Sequence, residues 1–143
     1  MDLAPDLSEI RRVSAELGPF MDDLALSEER RFALELVLDE LLTNTITYGF
    51  RDQCGAGITV SVSSDGDRLR VQIVNDAIPF DPLTAPPPDL DSELDDRRVG
   101  GLGIYFVRRF VDAMRYRHEA GRNIIELDMK TSAADDEDHD EET

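Results

Sequence analysis

The sequence predicts an α+β fold: a two-layer sandwich in which an antiparallel or mixed β-sheet carries helices on one face. Three observations predict it. Residues 8–50 repeat apolar side chains at three- and four-residue spacing, the pattern of helices buried along one side. Residues 58–64 and 69–75 alternate apolar and polar side chains about Asp65-Gly66, the pattern of a half-buried hairpin. A second hairpin, RYRHEAG followed by RNIIELDMK, closes the body. Strands joined by tight turns pair antiparallel, and the helices then have one sheet face to cover.

The elements follow in chain order. The first helix starts near Ser8 and sets Ile10, Val13, Leu17, Phe20 and Leu24 on one side; Gly18-Pro19 is expected to kink or split it. Ser27 is a good N-cap for a second helix running to about Phe50, with Glu28 and Glu29 suited to its first turn. A turn, RDQCGAG, leads to the first hairpin. From Asp81 to Arg98 the chain is rich in Pro and Asp and lacks periodicity, as lids and linkers do. GGLGIYFVRRFVDAM then reads as a glycine-rich turn entering a third helix. The folded domain spans 1–131, and the acidic tail, 132–143, is expected to be disordered.

Composition excludes some functions. The net charge is −17; seven of the acids and no Lys or Arg lie in the last thirteen residues, so the body before them carries −10. Neutralising nucleic-acid phosphates takes clustered Lys and Arg, so no nucleic acid is expected as a partner. No apolar run nears the roughly 20 residues that cross a bilayer, and no signal-peptide pattern opens the chain. A single cysteine, Cys54, allows no internal disulfide and fits a reducing cytoplasm.

Glu40 and Asn44 are the unusual side chains of the second helix. At about 100° per residue, Ala33, Leu36, Val37, Thr43 and Thr47 fall within about 60° of Glu40, while Glu35 and Asp39 point to solvent. Glu40 and Asn44 stack one turn apart on this partly apolar flank. The commoner explanation of such a pair is a boundary reaching water. The functional explanation is a carboxylate for general-base chemistry beside an amide oxygen for a hard cation. Gly100, Gly101 and Gly103, around Leu102, precede a helix and follow a lid; free N–H groups at such a start can meet an anion. VNDAIPFDP ends the second strand. There Asn75 and Asp76 could accept from an adenine amino group while Pro79 and Phe80 form an apolar wall; equally, the stretch could be a plain turn.

Together these stretches resemble the GHKL (Bergerat-type) ATPases. Glu40 to Asn44 looks like their N box, NDAIPFDP like the first glycine box and GGLGIYFVRRF like the second. ELLTNTITYGF, PFDPL, VGGLG and GRN resemble one branch, the anti-sigma-factor serine kinases of bacterial partner-switching systems. The resemblance covers residues 28–130. It implies a Bergerat ATP-binding fold and a cytoplasmic protein kinase that binds ATP (or ADP) with Mg²⁺. It also implies Asn44 as magnesium ligand and Glu40 as the base acting on a serine or threonine of a STAS-domain antagonist. Asn75, Asp76, Ala77, Pro79 and Phe80 would hold the base, and Gly100, Gly101, Leu102 and Gly103 would approach the phosphates. The same body, as a homodimer, would sequester a sigma factor. Two positions depart from the pattern: the first glycine box usually reads Asp-x-Gly, and here Asn75 and Ala77 stand at its Asp and Gly. A binding module on the same fold with little or no phosphoryl transfer is the alternative. The family's first strand is missing or very short, because helical spacing begins by Ser8.

Overall fold

The structure, a computed structural model, describes residues 1–50, 57–81 and 107–131. Cys54, the lid from residue 82 onward, the glycine cluster at 100–103 and the acidic tail lie outside these residues. The order is β1 (Asp2–Leu3), α1 (Glu9–Asp23), α2 (Glu28–Asn44), a π-helical turn (Thr45–Gly49), β2 (Ile58–Asp65), β3 (Arg68–Asn75), β4 (Ala113–Glu119) and β5 (Arg122–Lys130). Residues 107–110 are also helical. The strands form one antiparallel sheet in the order β1-β2-β3-β5-β4. The predicted α+β sandwich is the observed one, and the sheet is wholly antiparallel.

Strand parity builds the two layers. Ile58, Val60, Leu69, Val71, Ile73, Ile125, Leu127 and Met129 share the inward face and join one core with Val13, Leu17 and Met21 of α1 and Leu34, Val37, Leu38 and Leu41 of α2. The opposite face is covered by charge pairs. Arg70 Nε lies 3.0 Å and Arg115 3.4 Å from the Asp128 carboxylate; Glu126 accepts from Gln72 at 3.0 Å and from Arg117 at 3.3 Å. Burial raises the Asp128 carboxyl, but Arg70 and Arg115 outweigh it and hold it below the usual range. The Gln72 hydrogen bond and then Arg117 do the same for Glu126.

Three details differ from the sequence expectation. Pro19 does not divide α1, which runs as one fifteen-residue helix. Val13 and Leu17 before it and Met21 after it are all buried, and that packing overrides the lost hydrogen bond. The helix ends two residues past Asp23 in a Schellman turn, with Leu26 N–H donating to Met21 O at 3.2 Å, Ala25 N–H to Asp22 O at 3.0 Å, and Ala25 at φ 53°. The second helix is α-helical only to Asn44 and then widens into the π turn. The third helix stops at residue 110, because Ala113 and Met114 already pair with Asp128 and Leu127 of β5. Ser27 caps α2 as expected, its side chain accepting from Arg30 N–H at 3.2 Å. The first strand is indeed very short: two residues paired with Ile58 and Thr59.

Both hairpins turn in two residues. The β4–β5 turn has Ala120 at φ 53° and Gly121 at φ 77°, a shape that needs positive φ at both positions. Ala120 carries a left-handed conformation that costs an L-residue roughly 1–2 kcal/mol. Replacing Ala120 by Asn, which tolerates this region, should stabilise the protein by about 1 kcal/mol and raise Tm by roughly 4 °C. A thermal melt of the variant checks it; an unchanged or lower Tm would contradict the strain.

Candidate functional site

The site begins with how α2 is buried. Arg30, Ala33, Leu34, Val37, Leu38, Leu41, Leu42 and Asn44 are its buried residues, so the stripe that holds the helix to the sheet ends on a carboxamide. Asn44 is 3% exposed and Thr45 beside it 1%. Glu40, one turn earlier, is half-buried, with its Oε2 enclosed and lacking a hydrogen-bond partner; Thr45 Oγ1 is in the same condition. Native folds rarely leave enclosed polar oxygens unsatisfied, since each costs about 1–3 kcal/mol. Burial, and after it the neighbouring Asp39 carboxylate, pushes the Glu40 carboxyl above the usual range. Glu40 thus stands at the boundary with one carboxylate oxygen enclosed. It is a carboxylate held with unused acceptor capacity and raised basicity.

The π turn carries this end of α2 onto the loop that follows β3. A Cβ placed on Gly49 would lie 3.2 Å from the Ala77 Cβ and 3.7 Å from the Phe80 ring, so the glycine is what lets the turn seat there. Tyr48 adds a ring contact with Phe80, centroids 6.0 Å apart. The alanine at the family's glycine position thus fills space against Gly49. Loop residues 75–80 are shaped by two amides. Asn75 and Asn123 are register partners on β3 and β5, and both are buried. Asn75 Oδ1 accepts from Ala77 N–H at 3.1 Å and from Asn123 Nδ2 at 3.0 Å. Asn123 Nδ2 also donates to Ala77 O and Ile78 O, while its Oδ1 accepts from Phe80 N–H at 3.2 Å and Tyr116 Oη at 2.5 Å.

The structure therefore stacks Glu40 and Asn44 on the last turns of α2 and sets the π turn after them, through Tyr48 and Gly49, against Ala77 and Phe80 of the loop that Asn75 shapes. Asp76 is exposed, and its Oδ1 accepts from Gly57 N–H at 3.3 Å; Pro79 is exposed at the loop tip. Gly100, Gly101, Leu102 and Gly103 lie outside the described residues. Sequence reading missed Asn123 as a site residue. Its signal is parity: it occupies an inward position of a strand whose other inward positions are Ile125, Leu127 and Met129.

The histidine kinase-like ATPase domain model matches residues 3–129. The chain belongs to this family. Among curated proteins it is similar to the serine/threonine-protein kinase BtrW of Bordetella bronchiseptica, 31% identical over 101 residues that cover 71% of each chain. It is also similar to the serine-protein kinase RsbW of Listeria monocytogenes, 24% identical over 96 residues, covering 64% of this chain and 61% of the Listeria protein. The match thus spans about six tenths of the Listeria protein, and the chain fits the serine-kinase branch of this ATPase family. Among solved structures, the histidine kinase domain of Erythrobacter litoralis EL346 superposes with a TM-score of 0.54 at 14% identity, over 87% of this chain and 60% of that one. The catalytic domain of histidine kinase ThkA does so at 0.51 and 14%, over 89% and 93%. These two likenesses establish the fold of this ATPase domain.

The residues present fit a magnesium nucleotide. Enclosed oxygens on Glu40 and Thr45 beside buried Asn44 make a polar patch that the described protein leaves unsatisfied. No cluster of three His, Cys, Asp or Glu suited to a metal occurs among the described residues. No described helix is long and apolar enough to cross a membrane.

The unpaired carboxylate carries a stability prediction. A carboxyl whose folded pKa is raised costs stability once ionised, so its penalty is absent at low pH and appears as pH rises through the folded value. Glu40→Gln should therefore stabilise the ligand-free protein at neutral pH, by less than about 1 kcal/mol because solvent screens this half-exposed group, and by nothing below the ordinary carboxylate pKa of about 4. Urea midpoints at several pH values measure this; a variant less stable at pH 7 would contradict it.

Proposed function

We propose that this protein is a Mg-ATP-dependent serine/threonine kinase that phosphorylates a STAS-type antagonist protein and sequesters a sigma factor in a bacterial partner-switching module. The observation that carries the reading is Glu40: a carboxylate of raised pKa with an enclosed, unpaired oxygen, one turn from buried Asn44. Kinase-named relatives at 31% and 24% identity support it. A module that only bound proteins would have no use for an unpaired carboxylate held at a stability cost.

Bound Mg-ATP would supply the phosphoryl group and much of the charge neutralisation for its transfer. Asn44 Oδ1 is the hard oxygen suited to the magnesium, and Gly100, Gly101, Leu102 and Gly103 would approach the phosphates. Ala77 and Phe80, with exposed Pro79, would border the base. Glu40 would take the proton of the antagonist's hydroxyl as its oxygen is phosphorylated. A pKa above the usual carboxylate range makes Glu40 a better acceptor of that proton. The acidic body, −10 before the tail, would draw in a basic sigma-factor surface by long-range attraction. A homodimer in the cytoplasm is the assembly this reading carries.

The test is transfer from labelled ATP to the antagonist by the purified protein and by Glu40→Gln. Positioned general bases contribute about 10²–10⁴-fold. The variant should lose at least about a hundredfold in transfer while keeping its Mg-ATP affinity within about threefold. Equal transfer by the two proteins would reject Glu40 as the base, and no transfer by either would favour the binding module.

A further inference from the structure

The backbone of residues 77–80 is held by side chains. Among the described residues it makes no backbone–backbone hydrogen bond. Asn75 Oδ1 accepts from Ala77 N–H at 3.1 Å. Asn123 meets three more groups: its Nδ2 donates to Ala77 O at 3.3 Å and to Ile78 O at 3.0 Å, and its Oδ1 accepts from Phe80 N–H at 3.2 Å. A backbone N–H can only donate and a carbonyl only accept, so this amide has one orientation. Asn123 is 1% exposed on β5, in register with Asn75 of β3 and His118 of β4, and Tyr116 Oη donates to its Oδ1 at 2.5 Å. The other inward positions of its strand are Ile125, Leu127 and Met129, so a carboxamide here forgoes apolar contact. What it provides instead is a fixed post for the loop.

The loop in turn seats the end of α2. Thr45 N–H is shared between Leu41 O and Leu42 O, and the helix then widens into the π turn. Such turns are rare and concentrate at functional sites, and an unusual backbone persists where its surroundings fix it. Here the surroundings are the loop: a Cβ on Gly49 would lie 3.2 Å from Ala77 Cβ, and the Tyr48 ring meets the Phe80 ring at 6.0 Å. We propose that Asn123 is a positioning residue: by fixing residues 77–80 it holds the π turn in its seat, and through that turn it sets how the end of α2 presents Glu40 and Asn44. A loop freed from Asn123 would let Ala77 and Phe80 move off Gly49 and Tyr48. The turn could then relax toward an ordinary helix end and carry Asn44 with it. The effect on phosphoryl transfer rests on the kinase reading above, whereas the coupling itself rests on these contacts alone.

Amide hydrogen exchange on the full chain tests the coupling without any ligand. Asn123→Ala removes three hydrogen bonds to the loop, and should speed exchange at residues 45–50 by roughly tenfold beyond any change in the amides of α1 and β3. Gly49→Ala presses on Ala77 from the other side of the same seat and should loosen the same amides. In the double variant the combined effect should fall short of the product of the two by about fivefold or more, the mark of a shared contact. Tyr116→Phe removes only the hydroxyl that steadies Asn123 and should speed the same amides by about threefold; it decides the matter if Asn123→Ala does not fold. In labelled-ATP transfer, Asn123→Ala should lower kcat about tenfold while the KM for the antagonist stays within about threefold. Exchange at residues 45–50 that merely follows the rest of the chain, effects that multiply, or an unchanged kcat in a variant whose turn has loosened would overturn this inference and leave the kinase reading standing. Absence of transfer by the unmodified protein would overturn the kinase reading, and exchange would still decide the coupling.

Discussion

The site depends on one constraint: α2 is buried against the sheet through its last residue. Because its stripe of Ala33, Val37 and Leu41 continues into Asn44 and Thr45, the helix drags polar groups out of water along with its apolar ones. That burial raises the basicity of Glu40 and leaves oxygens without partners. A helix tilted away by its final turn would gain hydration for these groups and lose the acceptor capacity that a ligand can use. The apolar contacts nearer its start hold it in place, so the hydrophobic core bears the free-energy cost of a strained polar end.

Much of the architecture could be read in the sequence because local chemistry and tertiary packing agree there. Ser27 begins α2 as a cap must, and alternation marks the first hairpin to within a residue of its strand ends. The disagreements arise where packing outweighs a local rule. Pro19 is a helix breaker held inside α1 by buried neighbours on both sides. Ala113 and Met114 have helical spacing with what precedes them but gain more from pairing with β5. β1 is two residues long, too short to show any period.

The site was legible in part, for a similar reason. Glu40 and Asn44 stand out as polar residues on an otherwise apolar flank, a one-dimensional signal. Asn123 becomes meaningful only when β3 and β5 are in register and bring it opposite Asn75, a relation that no local pattern encodes. The π turn is equally invisible from the chain, since it arises where Gly49 must seat on Ala77. The two departures from the family pattern also find structural partners: Asn75 is matched by Asn123, and Ala77 by Gly49. Membership of the histidine kinase-like ATPase family thus coexists with a loop after β3 that this chain holds with its own pair of buried amides.

β1 covers only Ile58 and Thr59 of the eight-residue β2. Beyond Val60 the outer margin of that strand has no neighbour among the described strands, so its peptide groups form a row open to any extended chain. Ser61, Ser63, Ser64 and Asp65 occupy that margin, small or charged and well hydrated. Among the described residues, the hydration of these four side chains is what opposes sideways growth of the sheet along this rim.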